Sequence, residues 1–276
     1  MADPLSVVVF AAVAGGAAGS AAGKMLERAW DASEKWIAAY FANHRPKAQE
    51  AARVNSANYL REVGDRIVDA EATGTLDRET IESAMDQPDF AALLQDTVVN
   101  AARTDSAAKH KILAALIAER LACNDDSAFS VAVRLAAEAV SLSTTTQLHV
   151  IGFIATVRVI RPTEILSDSE FSAWLVTRFK PFESLDFTRF ALMHLEALDC
   201  VREHTERADL REIINSKIRG HVPADGFLGS SLGKHVAARW KQYKLGACSP
   251  TSIGLIVGLQ VADELTGAKT AIDIWG

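Results

Sequence analysis

Residues 88–121 read PDFAALLQDTVVNAARTDSAAKHKILAALIAERL. Phe90, Leu93, Leu94, Val98 and Val99 recur at the spacing of one helix face, and Pro88 suits a first helical turn. Thr104-Asp105-Ser106 then stops that helix and caps the next, which carries Ile112, Leu113, Leu116, Ile117 and Leu121. The same grammar continues downstream. Asn124-Asp125-Asp126-Ser127 precedes Phe129, Val131, Val133, Leu135 and Val140, and Ser143-Thr144 precedes Leu148, Ile151, Ile154, Val157 and Ile160. Four consecutive helices joined by short polar turns predict an all-α fold, a multi-helix bundle or short α-solenoid. No residue-level repeat motif accompanies them, which favours the bundle. The last segment, LHVIGFIATVRVI, is too short to cross a bilayer and is interrupted by Arg158. It reads as a central core helix, with a strand as the alternative for its valine-rich run, and His149 reads as a core or edge histidine.

Upstream, Lys24–His44 predicts a helix with Leu26, Trp30, Ile37 and Phe41 on its apolar side and Trp36 and Tyr40 beside them. These aromatics suit either core packing, the better reading, or a membrane interface. Pro46 breaks the pattern, and Lys47–Ala72 predicts a second long helix with Val54, Leu60, Val63, Ile67 and Val68 inside. Residues 73–76 read as a turn, with Thr75 capping a short helix through Met85. Downstream, Ser167 or Asp168 caps a helix through Phe179; further helices are expected over Ser184–His204, Asp209–Arg219 and Lys234–Lys244, with a glycine-rich loop at 220–233. Ser249 and Pro250 read as the N-cap and first turn of a last helix.

The front of the chain is different. Leu5–Gly23, LSVVVFAAVAGGAAGSAAG, carries no charge. As a helix it aligns Ala11, Gly15, Gly19 and Gly23 in one row, with Gly16 in a neighbouring one, a small-residue face on which another helix backbone can sit closely, as in a glycine zipper. A helix of this length reaches about 28 Å against a hydrocarbon core of about 30 Å. Only Leu5, four valines and Phe10 are large and apolar, so an isolated span is weakly driven, and one packed against copies of itself is the more reasonable form. No positive charge precedes the run and Asp3 is acidic, unlike a secretory signal. A phosphate-binding loop is excluded by spacing: Gly19 stands one residue too close to Gly23-Lys24, and Met25 replaces the hydroxyl residue. Gly254, Gly258 and Ala262 form a matching row near the other end, on a helix suited to docking against another small-faced helix.

Composition is that of a globular chain: 276 residues, 49% apolar and 23% charged, with a net charge of −6. That balance gives no strong nucleic-acid signal. One local basic stretch, Lys234, Arg239, Lys241 and Lys244 with Trp240 and Tyr243 interleaved, is a candidate contact for an anionic surface, although a solvated helix face is the simpler reading. Cys123, Cys200 and Cys248 are far apart and odd in number, as expected of reduced thiols in the cytoplasm. The best metal-like grouping is His194, Cys200 and His204, but His194 is six residues before Cys200 and falls off the face that Cys200 and His204 would share. No catalytic residue, cofactor or metal is expected.

Five segments together, LERAWDASEKW, ANHRPKAQE, residues 88–121, LSTTTQLHVIGFIATV, and SPTSIGLIVGLQVADELTG with a terminal IWG, resemble an uncharacterised family of bacterial all-helical proteins. The glycine-rich front also resembles the abortive-infection alpha group linked to phage defence. Neither resemblance carries catalytic roles. The resulting expectation is a Gly/Ala-rich helix with its amphipathic extension at 1–45 and a helical body at 46–276. Its function would be non-catalytic self-assembly or membrane association in a cytoplasmic protein, with a homo-oligomer and membrane lipid as partners. The alternative is a soluble interaction module.

Overall fold

The computed structural model describes residues 21–42, 45–123, 127–164, 166–217, 225–268 and 270. Of these, 76% are helical, and the only sheet among them has two short strands, which establishes the all-α fold. The chain divides into two compact units, 1–142 and 143–276. Ala11, Gly15, Gly16 and Gly19 lie outside the described residues.

The first unit contains α1 (Ala21–Tyr40), α2 (Pro46–Ala72), α3 (Arg78–Met85), α4 (Pro88–Ala102), α5 (Ala107–Leu121) and α6 (Ala128–Leu142). The long α2 is its axis and packs against α1, α4 and α5. Its buried stripe, Tyr59, Leu60, Val63 and Ile67, repeats at helical spacing, and Gly64 lets the end of the Leu26 side chain lie directly on the α2 backbone. Val54 and Val68, expected inside, are partly exposed because they flank that stripe. Two buried polar networks are bonded into the core. The Tyr59 hydroxyl donates to Thr97 Oγ1 at 2.8 Å, and Thr97 donates to the Leu94 carbonyl at 2.9 Å. His110 Nε2 lies 3.2 Å from the Ala101 carbonyl and 2.9 Å from that of Thr104, at the C-terminal end of α4 where helix carbonyls lack partners. The N-cap of α3 is Asp77 rather than Thr75: Asp77 Oδ1 accepts from the Thr80 N–H at 2.7 Å, while the Thr75 N–H closes the end of α2 on the Ala70 carbonyl.

The second unit contains α7 (Thr145–Arg158), α8 (Asp168–Phe179), α9 (Arg189–Ala197), β1 (Val201–Glu203), α10 (Leu210–Asn215), α11 (Asp225–Gly229), α12 (Ser231–Gln242), β2 (Cys248–Pro250) and α13 (Ser252–Thr266). Helices α7 and α13 form its centre. Both are buried on almost every side, which is why neither shows a marked one-sided pattern. Thr144 opens α7 with a capping box completed by Gln147, and Ser167 with Glu170 does the same for α8.

Three expected elements are corrected here. The Ser184–His204 helix is only Arg189–Ala197: Thr188 caps it, and Asp199, at φ 52°, turns the chain into β1. That strand pairs antiparallel with β2, Val201 opposite Pro250 and Glu203 opposite Cys248. Ser249 and Pro250 therefore belong to a strand, and Thr251 is the N-cap of α13, accepting from Gly254 N at 3.1 Å. Finally, α12 begins at Ser231 with Ser230 as its cap, and α11 occupies part of the predicted loop.

Candidate functional site

The C-terminal small-residue row is an internal contact. A Cβ on Gly254 would stand 1.7 Å from the Cys200 carbonyl oxygen, and one on Gly258 would stand 2.6 Å from Ala155 Cβ and 2.9 Å from the Ile151 oxygen. Facing them, a Cβ on Gly152 would meet Val261 at 2.6 Å. Ala262 is fully buried in the same seam, near Leu255, Leu259 and Ile160. The docking partner of this row is thus α7 together with the turn before β1, in the same unit. Gly23, the one described member of the N-terminal row, lies half-buried near the start of α1.

The basic stretch is divided by packing. Arg239 donates to Asp186 Oδ1 at 3.0 Å and lies beside Tyr243, whose hydroxyl donates to the same carboxylate. These two contacts hold the Asp186 carboxyl below its ordinary range, the Tyr243 hydrogen bond being the larger cause. The Tyr243 ring is stacked on Phe187 at 3.9 Å. Trp240 is buried and donates its indole N–H to the Ala208 carbonyl at 3.3 Å. The interleaved aromatics are therefore structural, and Arg239 is held in an ion pair.

Lys241 and Lys244 remain exposed, beside a groove of about 330 Å³ that also takes Arg207, Asp209 and Gly246. Arg207 was not legible as part of this site. It arrives because the chain beyond β1 continues to pair with the segment before β2: His204 N donates to the Ala247 carbonyl at 2.7 Å, and Ala208 N to that of Gly246 at 2.9 Å. Arg158, half-buried, lies over the Trp240 ring at 5.5 Å and donates to the Gly246 carbonyl at 2.7 Å. Asp209 opposes this positive set but is engaged as the α10 N-cap, accepting from the N–H groups of Arg211 and Glu212. Three exposed cations around one groove can attract phosphate or carboxylate groups. Lys234 is exposed on α12 and does not line the groove.

The thiols are unsuited to nucleophilic chemistry. Burial, with Glu119 adding, pushes Cys123 up to about 11; burial, with Asp199 adding, pushes Cys200 up to about 12; burial also raises Cys248, with Glu203 adding to it. Among the described residues no group of three His, Cys, Asp or Glu could hold a metal ion. His194 Nδ1 instead accepts from Gln147 Nε2 at 2.7 Å, and Cys200 and His204 stand just before and just after β1, not on one helix face. One buried ionisable group had no sequence signal. Lys217 donates to the carbonyls of Thr156 at 2.9 Å and Ile160 at 2.6 Å, at the C-terminal end of α7, and burial, with Arg161 adding, lowers it to about 7.

A protein-family model matches residues 23–231. The chain belongs to that family. The family is uncharacterised, and the match runs from the first turns of α1 to the first residue of α12. No curated protein and no solved structure matches the chain.

Proposed function

We propose that this family member is a non-catalytic self-assembling protein whose contact element is the N-terminal small-residue segment, acting at an anionic lipid surface. The observation that carries this reading is the internal use of the matching C-terminal row. With Gly254 closed against Cys200 and Gly258 against Ala155, that row cannot receive Ala11, Gly15, Gly16, Gly19 and Gly23. A second copy of the same segment is the natural complement for a close-packing face, because identical small rows let two helix backbones approach. The groove of Arg207, Lys241 and Lys244 supports the lipid part, since clustered cations attract anionic headgroups. The raised thiols support a non-catalytic role. No described helix is long and apolar enough to cross a membrane. The likeness of the front segment to the abortive-infection alpha group extends the proposal to a role in bacterial antiviral defence.

The test is the solution mass of the full chain, by light scattering, together with flotation on anionic vesicles. Gly19→Leu is expected to lower the oligomeric mass and reduce vesicle binding while leaving the helical circular dichroism intact. A wild-type protein that stays monomeric with and without vesicles overturns the proposal. A second reading, a soluble interaction module, is favoured by Phe190 and Met193, 75% and 55% exposed at i,i+3 on α9. Defined oligomers without vesicle binding, lost in Phe190→Asp, would select it.

A further inference from the structure

Helices α1 and α4 pack in the first unit without closing the space between them. Met25 and Ala29 from α1 and Phe90, Leu94 and Val98 from α4, all buried, form the floor of a cavity of about 190 Å³. Its mouth is set by small, exposed residues, Ala32 and Ala91, where leucines would have filled the gap. The half-buried Trp36 forms one wall.

Arg28 and Gln95 line its exposed side, and one polar atom among the lining residues is buried. Ser33 is 3% exposed, lines the cavity, and its hydroxyl has no hydrogen-bond partner. Leaving a buried hydroxyl unpaired is unfavourable, because the group has given up its hydrogen bonds to water. An apolar cavity of about 150 Å³ is sufficient to take up benzene. The space is therefore large enough for a compact ring system, and a ligand with one hydrogen-bonding group would satisfy Ser33. Phe90 and Trp36 line it with aromatic rings and Met25 with a thioether, groups that favour an aromatic guest through edge and sulfur contacts.

We propose that this cavity is a binding site for a small aromatic molecule of one or two rings carrying a single hydrogen-bonding group, the indole and phenol class, with that group on Ser33 Oγ. The site is independent of the assembly reading, because it lies wholly within the first unit and uses none of the glycine rows.

Calorimetric titration of the full-length protein tests it, with indole as the polar probe and toluene as a ring without a hydrogen-bonding group. Both are expected to bind with one site per chain. Ser33→Ala removes only the hydroxyl, so it is expected to weaken indole about three- to tenfold and leave toluene unchanged. Ala91→Leu, at the exposed mouth, is expected to weaken both probes without altering the circular dichroism. Absence of indole binding at millimolar concentration overturns the proposal, and so does indole binding that either variant leaves unchanged.

Discussion

Individual side chains set the tightest constraints on this fold. Gly254 is the extreme case: its α-carbon faces the Cys200 carbonyl so closely that a methyl group would overlap the oxygen. Gly254→Ala is expected to destabilise the protein by at least the roughly 1–3 kcal/mol typical of overpacking, because backbone on both sides must shift. A urea unfolding midpoint indistinguishable from wild type would contradict the placement. Lys217 gives a pH signature. Its ammonium is lowered to about 7 in the folded chain, against an ordinary value of 10.5. Between those values the unfolded chain binds a proton that the folded chain does not, so this residue makes stability rise with pH. Below about 7 both states are protonated and the burial penalty is fully present. Lys217→Met is therefore expected to gain most, relative to wild type, near pH 7 and less toward pH 9.5, with a slope of up to about 1.4 kcal/mol per pH unit. Denaturant unfolding of both proteins across that range measures it. A difference independent of pH would show that the amine stays charged in the fold.

At the scale of elements, caps explain where most helices begin. Ser106, Thr144, Ser167, Thr188, Asp209, Ser230 and Thr251 each accept a backbone N–H in the first turn of the helix they open. Thr144 and Ser167 have the fullest arrangements: Gln147 Oε1 accepts from the Thr144 N–H at 2.8 Å, and Glu170 Oε2 accepts from the Ser167 N–H at 2.8 Å. Thr144→Ala is expected to lower stability by about 1 kcal/mol in urea unfolding, and Thr144→Ser to recover most of it. Caps and apolar spacing were both visible in the sequence, and for that reason Pro88–Ala102, Ala107–Leu121 and Thr145–Arg158 match their predicted extents closely. The Ser184–His204 segment shows the limit of that reading. Its apolar spacing is helical, yet Val201–Glu203 pairs with Cys248–Pro250, some 50 residues away, and this long-range ladder displaces the local preference.

For the molecule as a whole, each unit is close to the size of an ordinary domain, and each has a core built around its own central helices: α2 in residues 1–142, and α7 with α13 in residues 143–276. Fragments cut between Leu142 and Ser143 are expected to keep helical circular dichroism and to unfold cooperatively when produced separately. A fragment that is unfolded at neutral pH would show that its core depends on the other. The basic groove also belongs to this scale. Lys241 and Lys244 were legible as a local charge run, but Arg207 joins them only through the extended pairing beyond β1, and Arg239 leaves them only because Asp186 stands beside it. The cavity beside Ser33 had no signature at all, because alanines at 29, 32 and 91 read as ordinary helix formers until two helices are set side by side.

By itself, the sequence determined the all-α class, most helix starts, and the buried character of 145–158. These follow from local causes, namely apolar spacing along one face and side chains that reach the first-turn N–H groups. Tertiary structure alone decided that Gly254 meets the turn before β1 and Gly258 meets α7, that a two-stranded ladder interrupts a helical segment, and that Lys217 closes the end of α7. Each of these depends on atoms distant in the chain arriving within a few ångströms, where close packing and unpaired backbone groups, rather than local propensity, set the free energy.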